Sequence, residues 1–326
     1  MTRVSIITPS YNQAMFLEKT ILSVLGQNYV DLEYIIVDGG STDGSAEIIE
    51  KYAHQLAWWV SESDQGQADA INKGFRRATG EIIAWLNSDD LYAPGAIKRS
   101  VSILDDNPDL GMVYGNAVTF DQDGQPLNDL IFGDWGLAGL MAFQIICQPA
   151  VFMRRSVLEE AGYLDTSYHY LLDHELWLRM AQTASIQHVP ELWAFARHHA
   201  DAKNVAHADG FGKEAYRILG WLKTKPDMAA ILDKNRNSIE AAAARFDARY
   251  LLDGGRAWAA LKSYGRSLRL HPATALMEWH RIIFSMLSVL GLGRLGELYY
   301  RAKRLNNPVL TQALGIDNVD QLYQVN

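Results

Sequence analysis

The chain has 326 residues, of which 48% are apolar and 21% charged, and its 38 acidic and 30 basic side chains leave a net charge of −8. This composition is typical of a globular protein long enough for one large α/β domain with an appendage, or for two domains. The acidic balance excludes a general nucleic-acid binder, which presents a basic surface. A single cysteine, Cys147, excludes an intramolecular disulfide and a cysteine-based zinc site, which is typical of a reducing compartment.

Two apolar segments bear on targeting. The stretch from Val4 to Thr8 is too short for the core of a signal peptide and is followed by proline. The longest late apolar run, Ile282 to Leu292, holds about half of the ~20 residues that a membrane-spanning helix needs. The sequence therefore predicts a cytoplasmic protein.

The first half of the chain alternates short apolar runs with helical patterns, which is typical of βαβ units and a largely parallel sheet. The predicted strands are Val4–Thr8, Leu32–Asp38, Leu56–Ser61, Ile82–Leu86, Met112–Phe120 and Pro149–Met153. The predicted helices are Leu17–Leu25, Ala46–Tyr52, Gln67–Ala78, Ile97–Leu104, Ser156–Ala161 and Asp173–Gln182. Residues 125–147, rich in glycine and aromatic residues, are predicted to form an irregular loop.

From about residue 201 onward the pattern is helical, and a domain boundary is predicted near Pro226. The predicted domains are therefore an α/β domain over residues 1–225 and a helical region over residues 226–326. The charge divides unevenly as well, because residues 1–226 carry a net charge of −12 and residues 227–326 carry +4.

Acidic and small polar residues follow three predicted strands directly, as Asp38-Gly39-Gly40, Asp64-Gln65-Gly66 and Asn87-Ser88-Asp89-Asp90. Ligands bind at the carboxyl ends of strands in an open parallel sheet, so the three clusters predict a single site. No Walker lysine motif occurs, and no G-x-G-x-x-G follows a predicted strand in the first half of the chain, which argues against a P-loop nucleotidase or a dinucleotide enzyme. Asp89 and Asp90 instead offer the oxygen ligands that Mg²⁺ or Mn²⁺ takes alongside substrate phosphates. A turn or helix cap is the alternative for an isolated Asp-Asp pair.

Several motifs carry a resemblance to a known family. They are Thr8-Pro9-Ser10-Tyr11-Asn12, Val37-Asp38-Gly39-Gly40-Ser41-Thr42-Asp43-Gly44-Ser45, Ser63-Asp64-Gln65-Gly66, Leu86-Asn87-Ser88-Asp89-Asp90, Gly162-Tyr163-Leu164-Asp165 and Asp173-His174-Glu175-Leu176-Trp177-Leu178-Arg179. In this order, over about residues 1–200, they resemble family 2 of the glycosyltransferases, inverting enzymes that use nucleotide sugars. The resemblance implies an α/β protein of the GT-A fold, with a mostly parallel, Rossmann-like central sheet flanked by helices and followed here by an α-helical C-terminal extension.

The resemblance also implies a nucleotide-binding site formed by Thr8, Pro9, Tyr11, Asp38, Asp64 and Ser88. Thr8, Pro9 and Tyr11 match the positions that cradle the base, and Asp64 matches a position near the ribose or base edge. Asp38 matches the residue that hydrogen-bonds the base. Because a carboxylate accepts from the N3–H of uracil, UDP is the expected nucleotide. For Asp38 the alternative is the first residue of a tight turn.

The metal and sugar sites follow from the same resemblance. Asp89 is the expected ligand of Mn²⁺ or Mg²⁺, and His199 matches a histidine that touches the metal or the diphosphate. Asn87 stands where the family has the first aspartate of its D-x-D signature. The donor-sugar and acceptor region is assigned to Asp90, Gln148, Trp135 and Trp177. For each tryptophan, core packing is the alternative.

Asp173 matches the family's catalytic base, and Glu175 is the alternative carboxylate on the same predicted helix. The sequence thus predicts an inverting glycosyltransferase that moves a sugar from a nucleotide-diphosphate donor to a hydroxyl of a glycan or lipid-linked acceptor in surface polysaccharide synthesis. A non-catalytic module that binds sugar nucleotides or glycans is the alternative, disfavoured because Asp38, Asp89 and Asp173 occur together. A nucleotidyltransferase would need a basic, glycine-rich phosphate loop near the N-terminus, and Pro9–Gln13 is neither.

One late helix has apolar residues at helical spacing and basic neighbours. The apolar residues are Trp279, Ile282, Ile283, Met286, Val289 and Leu290, flanked by Arg281, Arg294, Arg301, Lys303 and Arg304. One interpretation is a helix packed on the catalytic domain or on a second subunit of a homodimer. The other is peripheral contact with the anionic inner face of the cell membrane, which would bring the active site to a lipid-linked acceptor.

Overall fold

A computed structural model of the protein describes residues 1–199, 208–293, 311 and 314–323. The chain divides into two compact units, residues 1–136, 146–198 and 309–326 in the first and residues 137–145 and 199–308 in the second. The second long segment of the first unit thus ends at residue 198, before the predicted boundary at Pro226, and the chain returns to the first unit near its end. Composition along the chain does not report such a return, because it depends on contacts between segments distant in sequence.

In the described part of the first unit, nine strands form one mixed sheet. They are β1 (Val4–Ser10), β2 (Leu32–Asp38), β3 (Trp58–Ser61), β4 (Ile82–Trp85), β5 (Leu91–Tyr92), β6 (Leu110–Asp121), β7 (Pro126–Leu130), β8 (Val151–Arg154) and β9 (Ser185–His198). The order is β3-β2-β1-β4-β8-β6-β9-β5, with β7 paired to β6. Strands β3, β2, β1 and β4 are parallel. Ser10 lies opposite Asp38 and Asp38 opposite Ser61, so these carboxyl ends are level with one another.

The helices of the first unit cover the sheet, and 3₁₀ turns lie at Ala53–Gln55, Gln148–Ala150 and Val319–Tyr323. The helices are α1 (Ala14–Leu25), α2 (Ser45–Tyr52), α3 (Gln67–Arg77), α4 (Ala96–Asp106), α5 (Gly136–Met141, which continues into the second unit), α6 (Arg155–Ala161) and α7 (Leu172–Thr183). Alternate β1 residues Val4 and Ile6 pack in one buried cluster with Leu17 and Ile21 of α1. The helical and strand periods thus bring their apolar faces together.

The predicted α/β class, with its parallel strands and flanking helices, is confirmed, but four elements were missed, among them the two-residue strand β5. Strand β9, fourteen residues long, has no counterpart among the predicted strands because Pro190 and several polar residues break its alternation. It forms through pairing with β6 along most of its length. The predicted loop over residues 125–147 contains β7 and α5, and half-buried β7 is held by β6 rather than by an apolar pattern of its own.

The second unit is helical in its described part, as predicted. Its helices are α8 (Ala208–Leu222), α9 (Pro226–Lys234), α10 (Arg236–Asp253), α11 (Ala257–Leu270), α12 (Pro272–Leu276) and α13 (Trp279–Val289). Buried Glu278, between α12 and α13, pairs with Arg249 of α10 and accepts a hydrogen bond of 2.8 Å from the Tyr264 hydroxyl of α11. Among the helices described here, none is both long enough and apolar enough to cross a membrane.

Candidate active site

Asp38 is the last residue of β2, and its carboxylate is buried and hydrogen-bonded. Its carboxylate accepts hydrogen bonds from the backbone N–H groups of Gly40 (3.2 Å) and Ser41 (2.9 Å). It also accepts from the hydroxyls of Ser41 (2.5 Å) and Ser61 (2.6 Å). These four donors make Asp38 the organiser of the turn after β2, which is the alternative role predicted for it.

Asp64 offers a carboxylate that is only half-buried at the same edge of the sheet. Its Oδ1 accepts from the Gly66 N–H at 2.8 Å. Its Oδ2 lies against Gly39, where an added Cβ would be 2.7 Å from this oxygen and 3.2 Å from the Tyr11 ring. Only glycine leaves room at position 39, so Asp64 and Tyr11 come together over the turn.

The residues predicted to contact the nucleotide base differ in their exposure to solvent. Thr8 and Pro9 are buried within β1, and the Thr8 hydroxyl lies 3.0 Å from that of Tyr34. Their side chains therefore pack in the sheet, which leaves their backbone for the predicted contact with the base. Tyr11 is 63% exposed just beyond the end of β1. The next residue, Asn12, adopts a positive φ of 52° and is tied to the 39–45 turn by a bond from its N–H to the Ser41 hydroxyl.

Residues 87–90, named the metal loop after the cation that the sequence predicts there, follow the buried strand β4. Asn87 joins three side chains there: its Oδ1 accepts from Gln67 Nε2 (2.7 Å), and its Nδ2 donates to Asp90 Oδ2 (3.1 Å) and Gln148 Oε1 (3.2 Å). Gln148 in turn donates to the backbone carbonyl of Trp85 at 2.7 Å. An amide both donates and accepts, which explains asparagine at this position of the D-x-D pattern.

Asp90 is buried, and its two oxygens accept from the Asn87 amide and from the Arg197 N–H (3.0 Å). Burial raises the pKa of Asp90 well above its ordinary value, and the negative charge of Asp89 raises it further. Ser88 is buried as well. Asp90 and Gln148, predicted to face the sugar, therefore act mainly in holding the loop.

Asp89 is half-buried in the metal loop, with its side chain partly open to solvent. No group of three or more His, Cys, Asp and Glu side chains suited to a metal ion lies together within the described ranges. Mg²⁺ and Mn²⁺ at a nucleotide site need only one or two carboxylates, because the substrate phosphates complete the coordination shell. The adjacent charges of Asp89 and Asp90, with Asp90 buried, are the donor set that a divalent cation would stabilise, so these residues fit such an ion.

Asp173 lies in the first turn of α7, half-buried, and its Oδ1 accepts from the N–H of His174 at 2.7 Å. One turn further, Trp177 stacks on Trp85, the last residue of β4, with ring centroids 5.2 Å apart. Residues i and i+4 share a helix face, so the stack fixes the Asp173 face of α7 against the strand that carries the metal loop. Trp177 is fully buried, which corrects its predicted place in the sugar site: it belongs to the core.

Glu175, the alternative catalytic base, is held in an ion pair. It is buried and forms a two-point ion pair with Arg179, with N–O distances of 2.9 and 2.8 Å. Arg179 also donates to the backbone carbonyl of Tyr163 at 2.8 Å, and to those of the two preceding residues. Glu175 thereby anchors the loop before α7.

Cys147 interacts electrostatically with two carboxylates of the candidate site. Burial raises the pKa of its thiol well above the ordinary value, and the negative charges of Asp90 and Asp173 raise it further. Both carboxylates are therefore close enough to Cys147 to act on it electrostatically. Asp90 of the metal loop and Asp173 at the start of α7 thus both act on the half-buried Cys147.

Trp135 lies in an aromatic cluster with Phe132, Tyr114 and His188. Its ring centroid is 5.6 Å from that of Phe132 and 6.4 Å from that of Tyr114, and Tyr114 is 5.4 Å from His188. The ring of Trp135 is half-buried, so part of it faces solvent. His199, the other predicted metal contact, is buried and belongs to the second unit.

Sequence reasoning missed Gln67, Arg197 and the Trp85–Trp177 stack. Arg197 begins an Arg-His-His run, of which only the last residue, His199, was predicted to belong to the site. Gln67 and Trp85 carry no signal of their own, because each acts through a partner distant in the sequence.

The fold is of the GT-A type. TarS of S. aureus (residues 1–349), solved with UDP-GlcNAc, superposes with a TM-score of 0.61 at 16% identity, over 93% of this chain and 92% of that one. The mannosyltransferase PcManGT of Pyrobaculum calidifontis, solved with GDP-Man and Mn²⁺, gives 0.59 at 20% identity, over 90% and 87%. At these identities the likeness concerns the fold.

The sequence model of glycosyl transferase family 2 matches residues 5–161. An uncharacterized glycosyltransferase of Rickettsia typhi is 31% identical over 243 residues, which are 70% of this chain and 74% of that one. A PGL/p-HBAD biosynthesis glycosyltransferase of Mycobacterium tuberculosis is 31% identical over 179 residues, 54% and 68% of the two chains. The chain belongs to glycosyl transferase family 2. Among these curated relatives, its match spans from 34% to 74% of their length.

Asn87→Asp would recreate the D-x-D pattern, yet it is expected to destabilise the protein by about 1–3 kcal/mol, because a carboxylate donates nothing to Asp90 or Gln148. It would also add a charge beside buried Asp90. Urea unfolding measures the loss, with Asn128→Asp on the exposed part of β7 as the matched control. Unchanged stability of Asn87→Asp would contradict the hydrogen-bond network described above.

Proposed function

We propose that this protein is a metal-dependent inverting glycosyltransferase that transfers a sugar from a UDP-sugar to a hydroxyl of a glycan or lipid-linked acceptor. The observation that carries the proposal is the Trp85–Trp177 stack, which joins the helix bearing Asp173 to the strand that precedes Asp89 and the metal loop. It brings a half-buried carboxylate to the loop suited to a divalent cation. A binding module would need no second carboxylate at this place.

In the proposed reaction Asp173 accepts the proton of the acceptor hydroxyl while that oxygen attacks the anomeric carbon. The new C–O bond forms as the bond from the anomeric carbon to the diphosphate breaks, so the configuration inverts and UDP leaves with the bond electrons. Asp89, with the diphosphate, would hold Mn²⁺ or Mg²⁺, which when bound stabilises negative charge on the leaving oxygens. Glu175 takes no part, because Arg179 occupies both of its oxygens.

Recognition of the nucleotide is assigned to Tyr11 and Asp64. Tyr11 presents an exposed ring at the end of β1, and Asp64 Oδ2 lies beside it above Gly39. A carboxylate oxygen at this place can accept from the N3–H of uracil, a role that Asp38, engaged by four internal donors, is less suited to fill. The UDP-GlcNAc bound to TarS, which shares the fold, supports UDP as the nucleotide.

A screen of nucleotide sugars with Mn²⁺ or Mg²⁺ tests the proposal. Slow hydrolysis of a single UDP-sugar, absent in EDTA, is the expected result and would identify the sugar. Preferred hydrolysis of a GDP-sugar would overturn the assignment of the base. Binding of a donor without hydrolysis or transfer to any acceptor would favour the non-catalytic alternative.

For the acceptor, we infer a lipid-linked molecule at an anionic membrane. Helix α13 buries Ile282 against Ala248 and Tyr264, but the apolar stripe beside Ile282 is exposed. The members of this stripe, with exposed fractions of 53%, 47%, 46% and 71%, are Trp279, Ile283, Met286 and Leu290. The net charge of +4 over residues 227–326 complements anionic lipid. Of the basic neighbours predicted to take part, Arg294, Arg301, Lys303 and Arg304 lie outside the described residues.

The protein is therefore expected to sediment with vesicles that contain anionic lipid, and to be released as salt is raised. Trp279→Ser combined with Ile283→Ser should abolish sedimentation, because both side chains are more than 45% exposed and the changes spare Ile282. Ser263→Ala on α11 is the control. Vesicle binding that does not weaken as salt is raised would contradict the membrane assignment. A dimer that is stable to salt in the wild type and dissociates in the double variant would contradict it as well.

A further inference from the structure

Arg197, near the end of β9, holds both aspartates of the metal loop. Its backbone N–H donates to Asp90 Oδ1 at 3.0 Å, and its Nε donates to the backbone carbonyl of Asp89 at 3.1 Å. The side chain is fully buried. Any movement of this residue would therefore be transmitted directly to the loop that is suited to a divalent cation.

The guanidinium of Arg197 lies between two aromatic rings and is bonded to one acid and to two backbone carbonyls at the end of β6, each at 3.3 Å. Its Cζ lies 4.5 Å from the centroid of the Phe16 ring and 4.2 Å from that of Phe120. Nη2 forms an ion pair of 2.7 Å with Asp320 Oδ1, and Nη1 reaches Oδ2 of the same residue at 3.3 Å. Since a buried cation requires a compensating charge, Asp320 fixes where the guanidinium lies.

Asp320 belongs to the 319–323 turn, 123 residues further along the chain. Burial alone would raise the pKa of Asp320, but hydrogen bonds and charges from Arg197 and Lys19 hold it below its ordinary value. The Asp320 carboxylate is thus stabilised in its charged form. Lys19 is its second partner, at 2.7 Å, and is itself about one-third exposed.

The turn itself is fastened to the strand that leaves the metal loop. Val319 is fully buried in a cluster with Leu91 of β5 and with Phe120. The Tyr323 hydroxyl donates to the backbone carbonyl of Tyr92 at 2.7 Å, and the Val319 N–H donates to the carbonyl of Gly124 at 2.9 Å. Asp320 is therefore held at a fixed place relative to β5 as well as to Arg197.

We propose that the 319–323 turn is a positioning element of the metal site. Asp320 orients Arg197, and Arg197 holds Asp89 and Asp90 in the geometry that binds the cation. The inference rests on the proposed function, because it presupposes a divalent metal at Asp89. Asp320 touches neither nucleotide nor metal in this assignment and acts through Arg197 alone.

The test measures UDP binding by calorimetry at increasing Mn²⁺. In Asp320→Asn, the Mn²⁺ concentration for half-maximal UDP binding is expected to rise about tenfold or more, the usual effect of losing an outer partner of a metal ligand. Weak UDP binding in EDTA should stay at the wild-type level, which a merely structural defect would not predict. Asp320→Glu, which keeps the charge, should recover part of the Mn²⁺ affinity. Asp317→Asn, an exposed acid on the same segment, is the matched control.

A folded Asp320→Asn with the Mn²⁺ dependence of wild type and of Asp317→Asn would overturn the inference. If Asp320→Asn does not fold, Tyr323→Phe, which removes only the hydroxyl bound to the Tyr92 carbonyl, takes its place with the same readout. No change in that folded variant would overturn the inference as well. Wild-type UDP binding that ignores Mn²⁺ would instead reject the metal assignment of the proposed function, and this inference with it.

Discussion

Asp173→Asn is expected to lower kcat by a factor on the order of 10²–10⁴ while leaving the Kd of UDP unchanged. The amide has the shape of the carboxylate but cannot accept the proton of the acceptor hydroxyl. The local structure should persist, because an amide oxygen can still accept the bond from the His174 N–H. Calorimetry with UDP and rate measurements with donor and acceptor give the two quantities separately.

The pH profile and a second variant sharpen this test. If Asp173 is the general base, the fall of kcat at acid pH in the wild type should be absent from Asp173→Asn. Glu175→Gln breaks a buried ion pair, so it is expected to lower the free energy of unfolding by about 3–5 kcal/mol and to affect catalysis only through stability. Near-normal transfer by Asp173→Asn, with inactive but folded Glu175→Gln, would move the base to Glu175.

Asp89→Ala is expected to raise the Kd of UDP in the presence of Mn²⁺ to the value that the wild type shows in EDTA. The loss should be at least the ~10- to 100-fold that removal of an outer partner costs a metal site, because Asp89 is assigned as a direct ligand. The fold should be retained, since Asp89 is half-buried at the end of a strand and is not part of the apolar core. Calorimetric titration and thermal unfolding check the two expectations.

A matched surface variant separates the metal effect from a general loss of charge. Asp109→Ala removes an exposed carboxylate from the turn before β6 and should bind UDP with Mn²⁺ as the wild type does. Asp90→Asn is unsuitable as a control, because Asp90 is buried and bonded to Asn87 and to the Arg197 backbone. Unchanged Mn²⁺-dependent binding by Asp89→Ala would disprove the metal assignment.

The aromatic and apolar patterns of the first half predicted much of the fold. Strand β2 has the predicted bounds, and α7 begins one residue before the predicted Asp173. These elements carry strong local periodicity, which a sequence displays directly. Strand β9 does not, because it is stabilised by hydrogen bonds to β6 that no local pattern encodes.

The sequence predicted which residues belong to the candidate site, and the structure separates the buried, hydrogen-bonded ones from the accessible ones. Asp38, Asp64 and Asp89 all follow strand ends, as expected, but Asp38 has four internal donors while Asp64 and Asp89 are half-buried. Trp177 was placed among the sugar contacts and is a core residue. The catalytic, nucleotide and metal roles themselves stay predictions for the experiments above.

The sequence by itself determined which residues stand at the carboxyl ends of the parallel strands and that Asp173 opens a helix, because strand and helix periods and turn residues are local properties. Only the tertiary structure decided which carboxylates remain accessible. Arg179 forms an ion pair with Glu175, and Arg197 forms one with Asp320, which lies 123 residues further along the chain. The spacing of four residues between Glu175 and Arg179 is visible in the sequence, but the burial of that pair and the contact of Arg197 with Asp320 depend on groups that meet only after folding.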